Sequence, residues 1–343
     1  MQSIADECNV SIHHLSLNDP AATHVLLFGN QRIRFKGFGC SKTLFAMAAY
    51  RSSRRMRLIL AAHPNLAPVA WALQTIHRDA RFVVIAHGIE VWSPLSRIRR
   101  EALLHADLVL APSTDTVQKI AQVQGVALER IRRLPWCLDP GFLADSHESE
   151  LLRPREFPKG RVLLTVARLA ANERYKGIDE LIEVMPDLLS TTPDLHLVIV
   201  GDGDDLPRLQ QRTVHLGISD RVVFLGSLDR HDLIACYRDC DIFALPSAGE
   251  GFGLVFLEAM ALAKPVVGGA HGGTPDIIED GVTGYLVQHG DLAQLQERLQ
   301  RLLTDDLLRR RMGVRGLERV LCDFTFDRFS HQLTMLLKGC LGS

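Results

Sequence analysis

Residues 242–261 read IFALPSAGEGFGLVFLEAMA, and the order of residue types in this stretch decides the fold. Residues 242–245 are an unbroken apolar run of strand length. Glycines at 249, 251 and 253 then turn the chain, and a helical stretch opens after the last of them. An apolar strand without polar alternation is covered on both faces, as in a parallel sheet sandwiched by helices. The same pattern continues on either side, with strands expected at 161–167, 195–200, 221–225, 265–267 and 285–287 and helices between them, the first at about 178–189. The class is therefore α/β, and a doubly wound sheet takes its ligand at the carboxyl ends of its strands.

The first half repeats the theme. Strands are expected at 24–28, 58–61, 81–86, 107–111 and 131–134, and helices at about 41–52, 66–77, 97–104 and 115–124. Residues 139–159 hold Pro140, Pro154 and Pro158 with mixed charge and no periodicity, which reads as a linker. The expected division is a first domain over 1–145, a linker over 146–159, a second domain over 160–322 and a last helix within 323–343. A chain of 343 residues suits two such cores.

With 47% hydrophobic and 23% charged residues the composition is that of a soluble globular protein rather than a disordered one. No apolar run approaches the ~20 residues of a membrane span. Residues 1–10 carry acids and no apolar core, unlike a signal peptide. The seven scattered cysteines read as free thiols of a cytoplasmic protein. Cys236 and Cys240 share a helical face, but zinc would need a second ligand pair.

The net charge of −1 hides an asymmetry. Residues 1–160 hold 20 Lys and Arg against 14 Asp and Glu, whereas residues 161–343 hold 19 against 26. Arg51, Arg54, Arg55 and Arg57, then Arg97, Arg99 and Arg100, supply much of the first-half excess. Two readings stay open: a solvated face, or attraction to an anionic membrane or phosphorylated acceptor. No aromatic-interleaved basic stripe points to nucleic acid.

The chemistry concentrates in the second half. Glycines let backbone N–H groups approach a ligand, and a helix amino terminus favours phosphate. The helix after Gly253 is apolar except at Glu258, and a lone buried carboxylate needs a hydrogen-bonding partner, for which a ribose diol is suited. Glu250, in the turn itself, is placed to hold sugar hydroxyls. The bland alternative is a structural pair of buried glutamates. A departing diphosphate also needs positive charge. Arg168 closes the first strand of this domain and Lys176 follows shortly after, both on the same sheet edge.

Arg168, Lys176-Gly177, Gly201-Asp202-Gly203, Glu250-Gly251-Phe252-Gly253, Glu258 and His271-Gly272-Gly273-Thr274-Pro275 together resemble the family-4 retaining glycosyltransferases of the GT-B fold, over nearly all of residues 160–290. The resemblance implies two Rossmann-like domains facing each other across a cleft. It implies retaining, metal-independent hexosyl transfer from a nucleotide-diphosphate sugar, with no further cofactor. Glu258 would bind the ribose, Glu250 the donor sugar, and Arg168 with Lys176 the diphosphate. Gly201, Leu228, Phe252, Gly253, Leu254, Val255, Gly272 and Gly273 would complete the donor site. His87, in His87-Gly88-Ile89-Glu90, resembles the first-domain histidine that reaches the donor sugar, so His87, Arg168, Lys176 and Glu250 are the catalytic candidates. His63, Asn65 and Glu90 are candidates for acceptor contact. Residues 172–177 look most like mannosyltransferases using GDP-mannose, with UDP-sugars open. The acceptor expected is a hydroxyl of a glycan or lipid-linked glycan, in the cytoplasm or peripherally at the inner face of the membrane, as in polysaccharide or lipopolysaccharide biosynthesis.

One departure stands out. The family normally begins with a strand, a Gly-rich loop and a helix, and none precedes Val10, so the first domain is expected to be truncated or altered at its edge. Gly37-Phe38-Gly39-Cys40 lies too far along to fill that place, and its likeness to a phosphate loop fails for want of a glycine before Lys42. Asp202/Asp204 and Asp239/Asp241 mimic metal-holding aspartate pairs, the second at the wrong end of its strand. Two rival functions share the fold: a non-catalytic nucleotide-sugar-binding protein, and a sugar-nucleotide epimerase or phosphorylase-like enzyme.

Overall fold

Apolar strands separated by amphipathic helices bury themselves as parallel sheets, and the chain builds two of them. The computed structural model describes residues 12–28, 31–52, 56–146 and 156–342. It divides into one unit of Met1–Pro135 with Asp327–Ser343 and a second of Trp136–Phe326. Among the described residues no helix is long and apolar enough to cross a membrane.

In the first unit, β1 (His14–Ser16), β2 (Thr23–Phe28) and β3 (Gln31–Gly37) form a three-stranded sheet in the order β1-β3-β2. β2 and β3 are an antiparallel pair and β1 runs parallel to β3. The four strands β4 (Leu58–Ala61), β5 (Arg81–Ile85), β6 (Leu108–Ala111) and β7 (Ile131–Arg133) lie side by side in chain order, all parallel. β1 and β3 are absent from the sequence reading. The expected helix at 115–124 becomes an α-helix, Thr114–Lys119, followed by a π-turn, Ile120–Gln124. Gly37-Phe38-Gly39-Cys40 joins β3 to the helix Lys42–Ser52, so a strand, a glycine turn and a helix do occur there. Arg54, Arg55 and residues 1–10 lie outside the described residues.

The second unit contains β8 (Arg161–Val166), β9 (Leu195–Val200), β10 (Val222–Gly226), β11 (Ile242–Leu245), β12 (Val266–Gly269) and β13 (Gly284–Val287) in the order β10-β9-β8-β11-β12-β13, parallel throughout. Counted within the unit this is 3-2-1-4-5-6, the doubly wound order whose switch point falls between β8 and β11. The connection after β8 and the turn after β11 therefore leave neighbouring strands at one edge. Central strands are wholly apolar and buried: Leu163, Leu164, Leu197, Val198, Phe243 and Ala244 are all fully inaccessible. The helix Ile178–Thr191 buries Leu181, Ile182, Met185 and Leu188 at 3.6-residue spacing, despite Pro186 within it. The unit boundary at Pro135 precedes the segment 146–159 read as a linker. Phe142 and Phe157 both pack into this second core, and residues 147–155 lie outside the described residues.

Candidate active site

The turn after β11 is held from three sides. Ala248 donates its N–H to the carbonyl of Tyr175 (2.7 Å), which ties the turn to the connection after β8. Gly273 donates to the carbonyl of Glu250 (2.7 Å), which ties it to the loop after β12. His289 places Nδ1 3.1 Å from the carbonyl of Pro246, where the turn begins. Two glycines make this closeness possible. A Cβ on Gly269 would stand 1.8 Å from the Ser247 carbonyl oxygen, and one on Gly273 would stand 2.7 Å from Cα of Phe252. Gly253 has φ +105°, a left-handed value, and opens the helix Leu254–Ala261.

Within this frame Glu250 and Lys176 meet: Nζ donates to Oε1 at 2.7 Å, with side chains only 13% (Lys176) and 10% (Glu250) exposed. The sequence reading places Lys176 on a diphosphate and Glu250 on a sugar; here each is the other's partner. A buried carboxylate would otherwise be uncompensated, so the pair keeps both charges in place beside the glycine turn. Arg168 lies one strand over and is 78% exposed, its Nη2 donating to Oε1 of the mostly buried Glu173. Oε2 of Glu173 has no hydrogen-bond partner among the described residues. Burial pushes the Tyr175 hydroxyl up to about 12, with the charges of Glu173 and Glu250 adding to the effect and Arg168 opposing it.

Glu258 is partly buried on the helix that follows, and it is not alone there. Tyr237, fully buried on the helix Arg230–Asp239, donates its hydroxyl to Glu258 Oε2 at 2.8 Å. Burial raises the Glu258 carboxyl, while the Tyr237 hydrogen bond and the charge of Arg230 pull it back. Loss of hydration raises the Tyr237 hydroxyl well above its ordinary range. One carboxylate oxygen is thus committed to protein. Tyr237 packs between Phe142 and Phe243 in the core, and nothing in the sequence marks it as the partner of Glu258.

The remaining donor candidates occupy the same edge with unequal access. Gly201 follows β9 with φ +133°, and a Cβ there would stand 1.8 Å from the Ala167 carbonyl. Leu254 is exposed, Val255 and Leu228 are partly buried, and Phe252 is buried against Phe324, ring centroids 6.0 Å apart. The ring of Phe252 is therefore a core group. Thr274, after Gly272 and Gly273, is fully buried, and its Oγ1 has no hydrogen-bond partner among the described residues.

The aspartate pairs have other work. Asp202 accepts from the N–H of Gly203 and Asp204 from that of Ala171. Asp241 accepts from the N–H of Val162 and from Arg161. Cys236 and Cys240 are buried free thiols, each pushed by burial up to about 12.

In the first unit the candidates gather at the carboxyl ends of β4 and β5. The rings of His63 and His87 lie 5.4 Å apart. Nε2 of His87 is 2.7 Å from the Ala62 carbonyl, and its backbone N–H donates to Glu90 Oε1 at 2.5 Å. His63 accepts from the N–H of Asn65. Burial depresses the His63 imidazole, with Glu90 opposing and His87 and Arg99 adding. Ser113 caps the helix after β6, accepting from the N–H of Thr116.

Comparison with known proteins decides the family. The chain is 33% identical over 273 residues to the GDP-mannose-dependent alpha-(1-6)-phosphatidylinositol monomannoside mannosyltransferase of Mycolicibacterium smegmatis, covering 76% of this chain and 70% of that protein. The chain belongs to the group 1 glycosyltransferases. The family profile, "Glycosyl transferases group 1", matches residues 149–319, which contain every donor candidate above. The GDP-mannose-dependent monoacylated alpha-(1-6)-phosphatidylinositol monomannoside mannosyltransferase of Corynebacterium glutamicum is 35% identical over 289 residues, covering 80% of this chain and 74% of that protein. Among solved structures, HepE of Anabaena in complex with UDP superimposes with a TM-score of 0.74 at 22% identity, covering 89% of this chain and 86% of that one. Sucrose-phosphate synthase of Thermosynechococcus elongatus gives 0.74 at 24%, covering 96% and 88%. This glycosyltransferase thus has the GT-B fold, with two Rossmann-like units.

Proposed function

We propose that this glycosyltransferase moves a hexose, mannose from GDP-mannose in the first instance, onto a hydroxyl of a glycan or lipid-linked glycan, with retention at the anomeric carbon and without a metal. The observation that carries the proposal is the nearly buried Lys176–Glu250 pair at the glycine turn after β11. The two mannosyltransferase relatives support the choice of donor.

In this reading the free oxygen of Glu258 takes the ribose hydroxyls, and Glu250 takes hydroxyls of the sugar. Arg168 and Lys176 face the diphosphate, where charge grows as the bond from C1 to phosphate oxygen breaks. Fixed cations need no reorganisation as that charge develops. The acceptor oxygen bonds to C1 on the face the diphosphate leaves, and its proton passes to the departing phosphate oxygen. His87 is a further catalytic candidate, while His63, Asn65 and Glu90 meet the acceptor. The place of action is cytoplasmic, with peripheral contact at the membrane.

The test is incubation of the full chain with GDP-mannose and, separately, UDP-sugars, in the presence of EDTA. Product with retained anomeric configuration supports the reading. An epimerised sugar formed without acceptor, or donor binding with no transfer to any acceptor, defeats it.

A further inference from the structure

We infer that His289 is a positioning residue for transfer: its Nδ1–H holds the start of the glycine turn that carries Glu250 against the helix that follows Lys176. The inference rests on the reading that Glu250 and Lys176 handle the donor, and it adds a residue that acts through them.

His289 follows β13, outside the carboxyl end of that strand. Its Nδ1 lies 3.1 Å from the Pro246 carbonyl oxygen and 3.4 Å from Oε1 of Glu180. A carbonyl only accepts, so the ring hydrogen belongs on Nδ1 and points to Pro246, with the Glu180 carboxylate alongside. Glu180 stands in the first turn of the helix Ile178–Thr191, which opens after Lys176 and Gly177. Its side chain is 17% exposed, and Oε2 is buried with no hydrogen-bond partner among the described residues. A carboxylate so enclosed draws on the donor edge of the imidazole and would be stranded without it. The backbone N–H of His289 donates to Nε2 of His271 at 3.3 Å, in the loop whose Gly273 holds the Glu250 carbonyl. One residue thus reaches three segments, all within the second unit.

These segments meet at one oxygen. A Cβ on Gly177 would stand 2.7 Å from the Pro246 carbonyl oxygen, the same atom that Nδ1 holds. Lys176 directly precedes that contact, and Glu250 follows Pro246 in the turn. A shift of Pro246 therefore changes the spacing at the Lys176–Glu250 pair, which stands at 2.7 Å. A side chain that only filled space here would need no donor on this edge.

GDP release from GDP-mannose by the full chain, with octyl mannoside as a lipid-linked acceptor, tests the inference. His289→Phe keeps a ring and removes the donor; kcat should fall about tenfold, while affinity for GDP alone, measured by calorimetry, stays at the parent value. His289→Asn should restore kcat, because its amide nitrogen stands as many bonds from the backbone as Nδ1 does. Joining Glu180→Gln to His289→Phe removes the stranded charge, so this double variant should unfold in urea like the parent and still be as slow as the single one. Nitrogen NMR of the imidazole rings in the parent should show His289 protonated at Nδ1. Parental kcat in His289→Phe, an asparagine variant as slow as the phenylalanine one, recovery of kcat in the double variant, or loss of GDP affinity together with kcat would each overturn the inference. A parent that binds GDP-mannose and transfers to no acceptor would instead defeat the proposed function. The ring spectrum would then decide the contact by itself, an unprotonated Nδ1 overturning it.

Discussion

Glu258 accepts from Tyr237 through one oxygen, and in the proposed reading the other takes the ribose. Replacing it with alanine should weaken GDP binding by about tenfold or more, the usual worth of a hydrogen bond to a charged group; calorimetry giving unchanged affinity would remove the ribose role. The same residue predicts a pH effect on stability. Its folded carboxyl is raised by burial, so the stability it contributes is full below the ordinary carboxyl range and is lost as pH rises through the raised value. Glu258→Gln should therefore resist urea better than the parent at neutral pH, with the advantage fading at about pH 4. Lys176→Met leaves Glu250 buried without its cation and should cost about 3 kcal/mol of stability. Lys176→Met with Glu250→Gln should recover most of that in urea titrations, and a double variant no more stable than the single would show that the pair is not coupled. The glutamates were legible in the sequence because one acid in an apolar helix and one in a glycine turn each demand a reason. Their protein partners were not, since Tyr237 is 21 positions and Lys176 74 positions away, and pattern reading has no means of joining residues across a sheet.

At the scale of elements, the loop after β12 reaches the site only because Gly273 has no Cβ. Gly273→Ala would press on Phe252 Cα and on the Gly251 carbonyl, moving the turn that carries Glu250. Transfer should drop at least tenfold, the order of loss expected from a small displacement of positioning groups, while the far-ultraviolet spectrum stays that of the parent. A variant with parental kcat and KM would show that the turn tolerates the shift. β8 to β13 were readable within a residue or two because strands buried on both faces are continuous apolar runs. β3 escaped the reading although Arg32-Ile33-Arg34-Phe35-Lys36 alternates cleanly: its apolar half is only Ile33 and Phe35, too few to stand out beside the continuous apolar runs of the other strands. β1 has only three residues, too few for any period to show.

For the molecule as a whole, every donor-site candidate of the glycine turns and the two glutamates lies within the second unit. GDP at a hundredfold excess over its dissociation constant should stabilise that unit by about 2.7 kcal/mol. Calorimetry should then show the nucleotide moving the transition of the second unit; a shift confined to the first would misplace the site. The first unit is assembled from two pieces of chain, Met1–Pro135 and Asp327–Ser343, with the whole second unit between them. The helix Phe326–Leu341 buries Leu333 and Leu337, and Cys340 near its end feels the charges of Asp107 and Arg81. During synthesis, then, the nucleotide-handling half can mature while its companion still waits for its closing helix to leave the ribosome. The unit that starts first closes only after the second has been made, which exposes its unfinished face to chaperones in the meantime.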